Sequence, residues 1–389
     1  MKQFLEGSYS VAEAVKLAKP GVISAYPITP QTHIVERLAE FVASGELKAE
    51  FINVESEHSA ASVVLGAVAT GVRAFSATSS QGLLYMSEVL FNIAGMRLPV
   101  IMVCANRAVS APINIWNDQQ DAISQRDTGW IQLYAEDNQE ALDFVLQAYK
   151  LGENPLIMLP VLVNMDGFIL THGMEIVDIP EQDLVDKFLP PYNPPYKLDV
   201  DNPVSMGLLA DPSIYLETRY ALHKTLEETL DIIPKIGNEF SSIFKRNGIR
   251  LIEEYNLENA NIAIVAMGSV CGTIKEFIDE NKNLKIGLLR LITYRPFPKE
   301  AIFNSLKNVK TIAVLDKSIS LGNEGCLYTE IKSLFGSDKK VNGFVAGLGG
   351  RDITKNTIKK LIDVSKEKEV RCEFLDLKED LLRKEFYVF

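Results

Sequence analysis

NVESEHSAAS, residues 53–62, leads from the tail of an apolar strand segment (FINV, 51–54) through three ionisable side chains, Glu55, Glu57 and His58, into a run of small residues. Ser56 supplies the hydroxyl of an N-cap, and Glu57 then falls in the first helical turn, where the helix dipole favours a carboxylate. The stretch reads as a strand, a tight turn and a helix over about 56–70. Electrostatic capping accounts for Glu57 locally. A metal site fits poorly, because adjacent side chains diverge and neither HExxH nor another carboxylate–histidine spacing is present.

The same strand–turn–helix unit recurs on both sides. VISAY (22–26), VRAFSAT (72–78), PVIMVCA (99–105) and PLIMLPVLV (155–163) are strand-length apolar runs. Between them HIVERLAEFVAS (33–44), LLYMSEVLFNIAGM (83–96) and EALDFVLQAYKL (140–151) carry apolar residues at helical spacing. SVAE (10–13) has capping-box spacing before a further helix that Pro20 and Gly21 stop. Alternation of this kind implies a parallel sheet covered on both faces. Residues 178–204 break the rhythm with a proline-rich extended arm, and 219–236 and the residues that follow read as helix. A second α/β unit begins near 259, with strands at NIAIVAMGS (261–269), KIGLLRL (285–291), KTIAVLD (310–316) and VNGFVAG (341–347).

Composition bounds the function. The chain has 389 residues, enough for two cored domains. With 40 basic and 51 acidic residues its net charge is −11, which disfavours a nucleic-acid or anionic-membrane surface. Cys104, Cys271, Cys326 and Cys372 form no CxxC pair, so no zinc or iron–sulfur pattern is present and the usage fits a reducing cytoplasm. Residues 1–19 carry charges throughout, unlike a signal peptide, and the longest apolar runs are strand-sized. A cytoplasmic location is expected, with no nucleic-acid or membrane partner.

Three loops carry candidate chemistry. YPITPQT (26–32) follows a strand, and Pro27 and Pro30 stiffen it, so Thr29 offers a hydroxyl in a pre-set direction; the plainer reading is a rigid turn. CANRAVSAP (104–112) places Arg107 just past a buried strand, where its planar fork suits a carboxylate or phosphate; the plainer reading is a salt bridge. ATSSQGLL (77–84) and GLGGRD (347–352) are small-residue turns that lack the GxGxxG and GxxxxGK[ST] fingerprints. WNDQQDAISQRDTGW (116–130) is an unusually polar stretch between two tryptophans.

Taken in order, YPITPQT, VESEHSAAS, SSQGLLYMSEVLFNIAGMRLPV, NRAVSAPINIWNDQQDAISQRDTGW, TYRPFP (293–298) and AGLGGRD (346–352) resemble the α subunits of the pyruvate:ferredoxin oxidoreductase family, over almost the whole chain. The likeness is greatest to the four-subunit enzymes of this 2-oxoacid:ferredoxin oxidoreductase group. It implies an α/β fold with a pyrimidine-type thiamine diphosphate-binding domain at 1–237, including the arm 178–204, and a transketolase C-terminal-like domain at 238–389. It implies oxidative decarboxylation of pyruvate with coenzyme A to acetyl-CoA and CO₂, with ferredoxin reduced. Thiamine diphosphate is shared with a β subunit; the chain has no GDG, only MDGF (165–168), so Mg²⁺ is expected on that partner. The 4Fe–4S clusters are expected on the other partners, among ferredoxin-like γ and δ subunits.

By the same resemblance Glu57 hydrogen-bonds the aminopyrimidine N1′, Arg107 pairs with the substrate carboxylate, and Thr29 holds the carboxylate or keto oxygen. Asn117, Asp118 and Gln120 line or close the site. The small residues Ala60, Ala61, Ser62, Gly66, Ala67 and Ala69 are expected to face the β subunit. The alternatives are the same reaction on 2-oxoisovalerate or 2-oxoglutarate, and a non-catalytic assembly subunit.

Overall fold

The structure is a computed structural model, and it describes residues 1–382. Its first sheet has seven strands, in the order Thr293–Arg295, Ile131–Tyr134, Val161–Asp166, Ile101–Asn106, Ala74–Thr78, Val22–Ala25, Glu50–Asn53. All pair in parallel except Thr293–Arg295, which runs antiparallel to Ile131–Tyr134. Helices cover both faces, as the continuous apolar character of the central strands requires. Gly7–Ala18 and Asn138–Gly152 pack on one side with Val11, Val15, Leu142 and Leu146 buried. Glu57–Ala69 and Ser87–Gly95 pack on the other, with Val64, Val68, Leu90 and Ile93 buried.

The second sheet has six strands, in the order Glu373–Phe374, Lys340–Val345, Thr311–Asp316, Ile262–Ala266, Ile286–Leu291, Ile252–Tyr255, and only the last pair is antiparallel. A charged cluster joins the two sheets. The buried Arg290 lies 2.8 Å from Glu136 and 3.0 Å from Glu253 and also pairs with Glu140, while Lys275 is 2.7 Å from Glu136. With Glu136 and Glu140 on one side and Glu253, Lys275 and Arg290 on the other, neither side can withdraw without leaving buried charge unpaired.

Several local expectations change. The first helix starts at Gly7, so Ser10 lies inside it and donates to Glu6 O at 3.1 Å; no capping box forms there. The cause is the strand Lys2–Glu6, which pairs antiparallel with Met174–Asp178 and runs straight into the helix. The expected strand at 155–163 begins only at Val161, because Pro155 and Pro160 lack N–H groups and Met158 turns at φ 47°. The strand then extends into the polar Asn164 and Asp166. Within the arm, Gln182–Phe188 is helical, since Phe188 finds edge-to-face partners in Phe240 and Phe244 at 5.5 and 5.7 Å. The helix expected over 219–236 and the residues that follow forms as read, from Tyr215 to Phe244. No helix among the described residues is long and apolar enough to cross a membrane.

Candidate functional site

In the first sheet the chain leaves Val22–Ala25 for Glu50–Asn53 on one side, then returns to Ala74–Thr78 on the other. The strand order reverses there, and the loops at the carboxyl ends of strands flanking such a reversal are the usual ligand position of open α/β sheets. Thr29, Glu57, the Ser79–Gly82 turn and Arg107 all follow such strand ends.

Ser56 is the N-cap of Glu57–Ala69, accepting from Ser59 N at 3.2 Å. The three ionisable neighbours go separate ways. Glu55 accepts from Ser59 Oγ, and His58 Nε2 sits 4.0 Å from Glu88. Glu57 is half-buried and lies over Gly82, where a Cβ would stand 2.7 Å from Glu57 Oε1 and 2.5 Å from Thr78 Oγ1. Gly82 is thus a spacing requirement of the Glu57 carboxylate. Thr78 Oγ1 is buried without a partner, and Glu57 takes part in no hydrogen bond or ion pair among the described residues. Along this helix Ala60, Ala61 and Ala69 are buried in the chain's own core. Only Ser62 and Gly66 are exposed and Ala67 is half-buried, so half of the expected small-residue contact face points inward.

Arg107 is 5% exposed. Its Nη1 donates to Thr29 O at 2.8 Å and its Nε to Asn114 O at 2.9 Å, so two carbonyls aim the guanidinium. No acid pairs with it among the described residues, and the plainer reading of a salt bridge fails. Burial lowers its pKa, opposed by the charge of Asp121. Thr29 is exposed and meets Arg107 through its carbonyl; its hydroxyl is in no described hydrogen bond. Gln31, fully buried, donates to Ala77 O at 2.7 Å and ties this loop to the neighbouring strand.

Thr29 and Arg107 are therefore in direct contact, whereas no described contact joins Glu57 to Arg107. Asp121, a residue that sequence reasoning passed over within the polar stretch, bonds the backbone of Arg107 and that of Ser80, two residues before the Gly82 over which Glu57 lies. The second unit holds the same stretch from behind. Lys317, buried, lies 3.0 Å from Asp166 and donates to Asn117 Oδ1. Gln119 N donates to Lys317 O at 2.9 Å, and Gln120 Oε1 accepts from Ile319 N at 2.9 Å. Asp118 accepts from Gly349 N at 3.1 Å, and Asn114 donates to Gly349 O at 3.1 Å. Gly349 and Gly350, at φ 61° and 82°, leave room for Asn114 and Trp116, which explains the glycines of GLGGRD. Burial raises Asp166, but Lys317 and Ser269 outweigh it and hold the carboxyl below its ordinary range. Burial pushes Asp118 up to about 6. Asn117, Asp118 and Gln120 thus act as a clasp between the units. TYRPFP supplies the antiparallel edge strand, with Arg295 gripping Glu330 at 2.6 and 2.9 Å.

Comparison with known proteins shows the family of this chain. The family model described as pyruvate flavodoxin/ferredoxin oxidoreductase, thiamine diphosphate-binding, matches residues 13–238, and that of pyruvate:ferredoxin oxidoreductase core domain II matches 260–358. The pyruvate synthase subunit PorA of Methanothermobacter thermautotrophicus is 51% identical over 97% of this chain and 98% of its own. The ketoisovalerate oxidoreductase subunit VorA of Pyrococcus horikoshii is 44% identical over 94% of each. Among solved structures, the 2-oxoglutarate:ferredoxin oxidoreductase of Magnetococcus marinus superposes with a TM-score of 0.71 at 18% identity, covering 94% of this chain and 65% of that one. A split-gene transketolase gives 0.53 at 11% identity over 93% and 98%. These two show the fold.

Proposed function

Since the chain belongs to the pyruvate:ferredoxin oxidoreductase family, we propose that it acts in a multi-subunit enzyme converting pyruvate, coenzyme A and oxidised ferredoxin to acetyl-CoA, CO₂ and reduced ferredoxin. The observation that carries this reading is Arg107, a buried guanidinium aimed by two carbonyls and lacking an acidic partner among the described residues. Such a group is a receptor for a small carboxylate. It binds the pyruvate carboxylate until that group leaves as CO₂, and the exposed Thr29 hydroxyl donates to the same carboxylate or to the keto oxygen.

The donor set also fits one end of thiamine diphosphate. Glu57 presents an unpartnered, half-buried acceptor beside the bare Cα of Gly82, as a ring N1′ requires. Thiamine diphosphate, when bound there, would supply the carbon nucleophile of the reaction. Glu57 shares the N1′ proton and so favours the ring tautomer whose imino group takes up a proton. The diphosphate and its Mg²⁺ belong to a β subunit, the 4Fe–4S clusters to the partner subunits, and γ and δ chains pass electrons to ferredoxin in the cytoplasm. Division at 237/238 into pyrimidine-type and transketolase C-terminal-like domains is supported by the matched ranges 13–238 and 260–358.

Pyruvate is preferred over 2-oxoisovalerate because the PorA relatives stand nearer than VorA, at 51% against 44% identity. The test is dye or ferredoxin reduction by the purified complex with each 2-oxo acid. Highest kcat/KM for pyruvate supports the reading; a higher value for 2-oxoisovalerate or 2-oxoglutarate reassigns the substrate. Inactivity with all three leaves an assembly subunit.

A further inference from the structure

The fully buried Asp121 receives hydrogen bonds from two successive strand–helix loops of the first sheet. Its Oδ2 accepts from Ser80 N and from Arg107 N, each at 2.9 Å. Its Oδ1 accepts from Asn106 Nδ2 at 3.0 Å and from Ala122 N at 2.7 Å. The Cys104 thiol lies 3.4 Å from Oδ2. Four N–H donors and one thiol thus converge on one carboxylate, two on Oδ1 and three on Oδ2. Only an acceptor at every position fits this arrangement. An asparagine would turn its NH₂ towards either Ser80 and Arg107 or Asn106 and Ala122, setting donor against donor.

The two bonds on Oδ2 have different consequences for the site. Ser80 opens the short helix that carries Gly82, the residue on which the Glu57 carboxylate rests. Arg107 is the first residue after the strand Ile101–Asn106 and bears the guanidinium held against the carbonyls of Thr29 and Asn114. One oxygen atom therefore sets the spacing between the Gly82 turn and the backbone of Arg107. We infer that Asp121 is a positioning residue, which through these backbone bonds fixes where the Arg107 guanidinium stands relative to Glu57. The inference rests on the proposed role of Arg107 in binding the 2-oxo acid.

A double-mutant cycle on the assembled complex separates positioning from general support. Arg107→Ala keeps the backbone N–H that Asp121 holds and removes only the guanidinium. Asp121→Asn alone is expected to lower kcat/KM for pyruvate by roughly tenfold or more, mainly through KM, since a hydrogen-bonded charged acceptor is disrupted. In the Arg107→Ala background the same substitution should change KM by less than about twofold, because the group it positions is gone, any remaining loss lying in kcat through the Gly82 turn under Glu57. Its effect on the thermal inactivation midpoint should be equal in both backgrounds.

Equal rises of KM in the two backgrounds would overturn the inference, as would an unchanged KM in Asp121→Asn. If Arg107→Ala itself leaves KM for pyruvate unaltered, the reading of Arg107 fails instead, and the two failures are distinct. Should Asp121→Asn not assemble, Asn106→Ala removes one of the four donors more gently. It is expected to raise KM by about threefold with Arg107 present and not without it. A rise in both backgrounds overturns the inference equally.

Discussion

Substitution of Lys317 by methionine tests how the second unit supports the site. Lys317 Nζ stands 3.0 Å from Asp166 Oδ2, and both side chains are at least 97% buried (3% and 1% exposed). Methionine matches the length of the stem but leaves the carboxylate without its cation. Removing one partner of a buried pair costs about 3–5 kcal/mol. Asp166 keeps Asn117 Nδ2 at 3.1 Å, Ser269 N at 3.0 Å and Gln119 Nε2 at 3.4 Å, which places the effect near the lower end. A loss of about 3 kcal/mol, taken up by the clasp, shifts its opening equilibrium by roughly a hundredfold.

Hydrogen exchange read by mass spectrometry on the intact complex measures this locally. Peptides spanning 114–121 should exchange on the order of a hundredfold faster, while those of the Asn138–Gly152 helix stay near wild type. Because Asn114 O aims the Arg107 guanidinium, KM for pyruvate should rise as well. Combining Lys317→Met with Asp166→Asn should restore part of the protection, since no unpaired buried charge remains and the amide oxygen still accepts hydrogen bonds there. Unchanged exchange at 114–121 in the single variant, or no recovery in the double, would refute the reasoning.

Two further outcomes follow from the geometry. Gly82→Ala places a methyl 2.7 Å from Glu57 Oε1, so the carboxylate must move; kcat of the complex should fall at least about tenfold with assembly on a sizing column unchanged. Burial pushes the Asp118 carboxyl up to about 6 from an unfolded value near 3.9. A raised folded value means that its contribution is complete below about pH 4 and lost as the pH rises through about 6. Asp118→Asn should therefore flatten the fall in thermal inactivation midpoint between about pH 4 and pH 6; an unaltered slope would assign that fall to other carboxyls.

Much of the first sheet was legible because its strands are apolar runs cut off by turn residues, and its helices carry a clean 3.6-residue period. The Ser56 cap and the helix behind it form as the local pattern dictates. What escaped was non-local. Thr293–Arg295 lies in the second half of the sequence yet pairs with Ile131–Tyr134, and no local signal marks a strand that crosses to another sheet. The arm helix Gln182–Phe188 exists because Phe188 packs on Phe240 and Phe244, over 50 residues away in sequence.

At the site, Glu57, Thr29 and Arg107 stood out through the company of their motifs. The contact between Thr29 and Arg107 uses a backbone carbonyl, which carries no side-chain signature. Asp121 looked like one more polar residue of WNDQQDAISQRDTGW, and only the convergence of four donors sets it apart. The same holds for Asp166 and Lys317, whose partnership spans 151 positions. MDGF lacks the features of a diphosphate motif, and its aspartate instead anchors the clasp.

The central claim concerns Glu57 as the proton partner of the thiamine ring, and one substitution addresses it. Glu57→Gln keeps the shape over Gly82 and the helix start, but replaces the ionisable carboxyl that shares the N1′ proton with an amide that cannot exchange it. Measured on the assembled complex with saturating thiamine diphosphate, pyruvate-dependent reduction of ferredoxin should fall at least about a hundredfold, the span expected for loss of acid–base assistance. Near wild-type turnover in an intact Glu57→Gln complex would contradict the account.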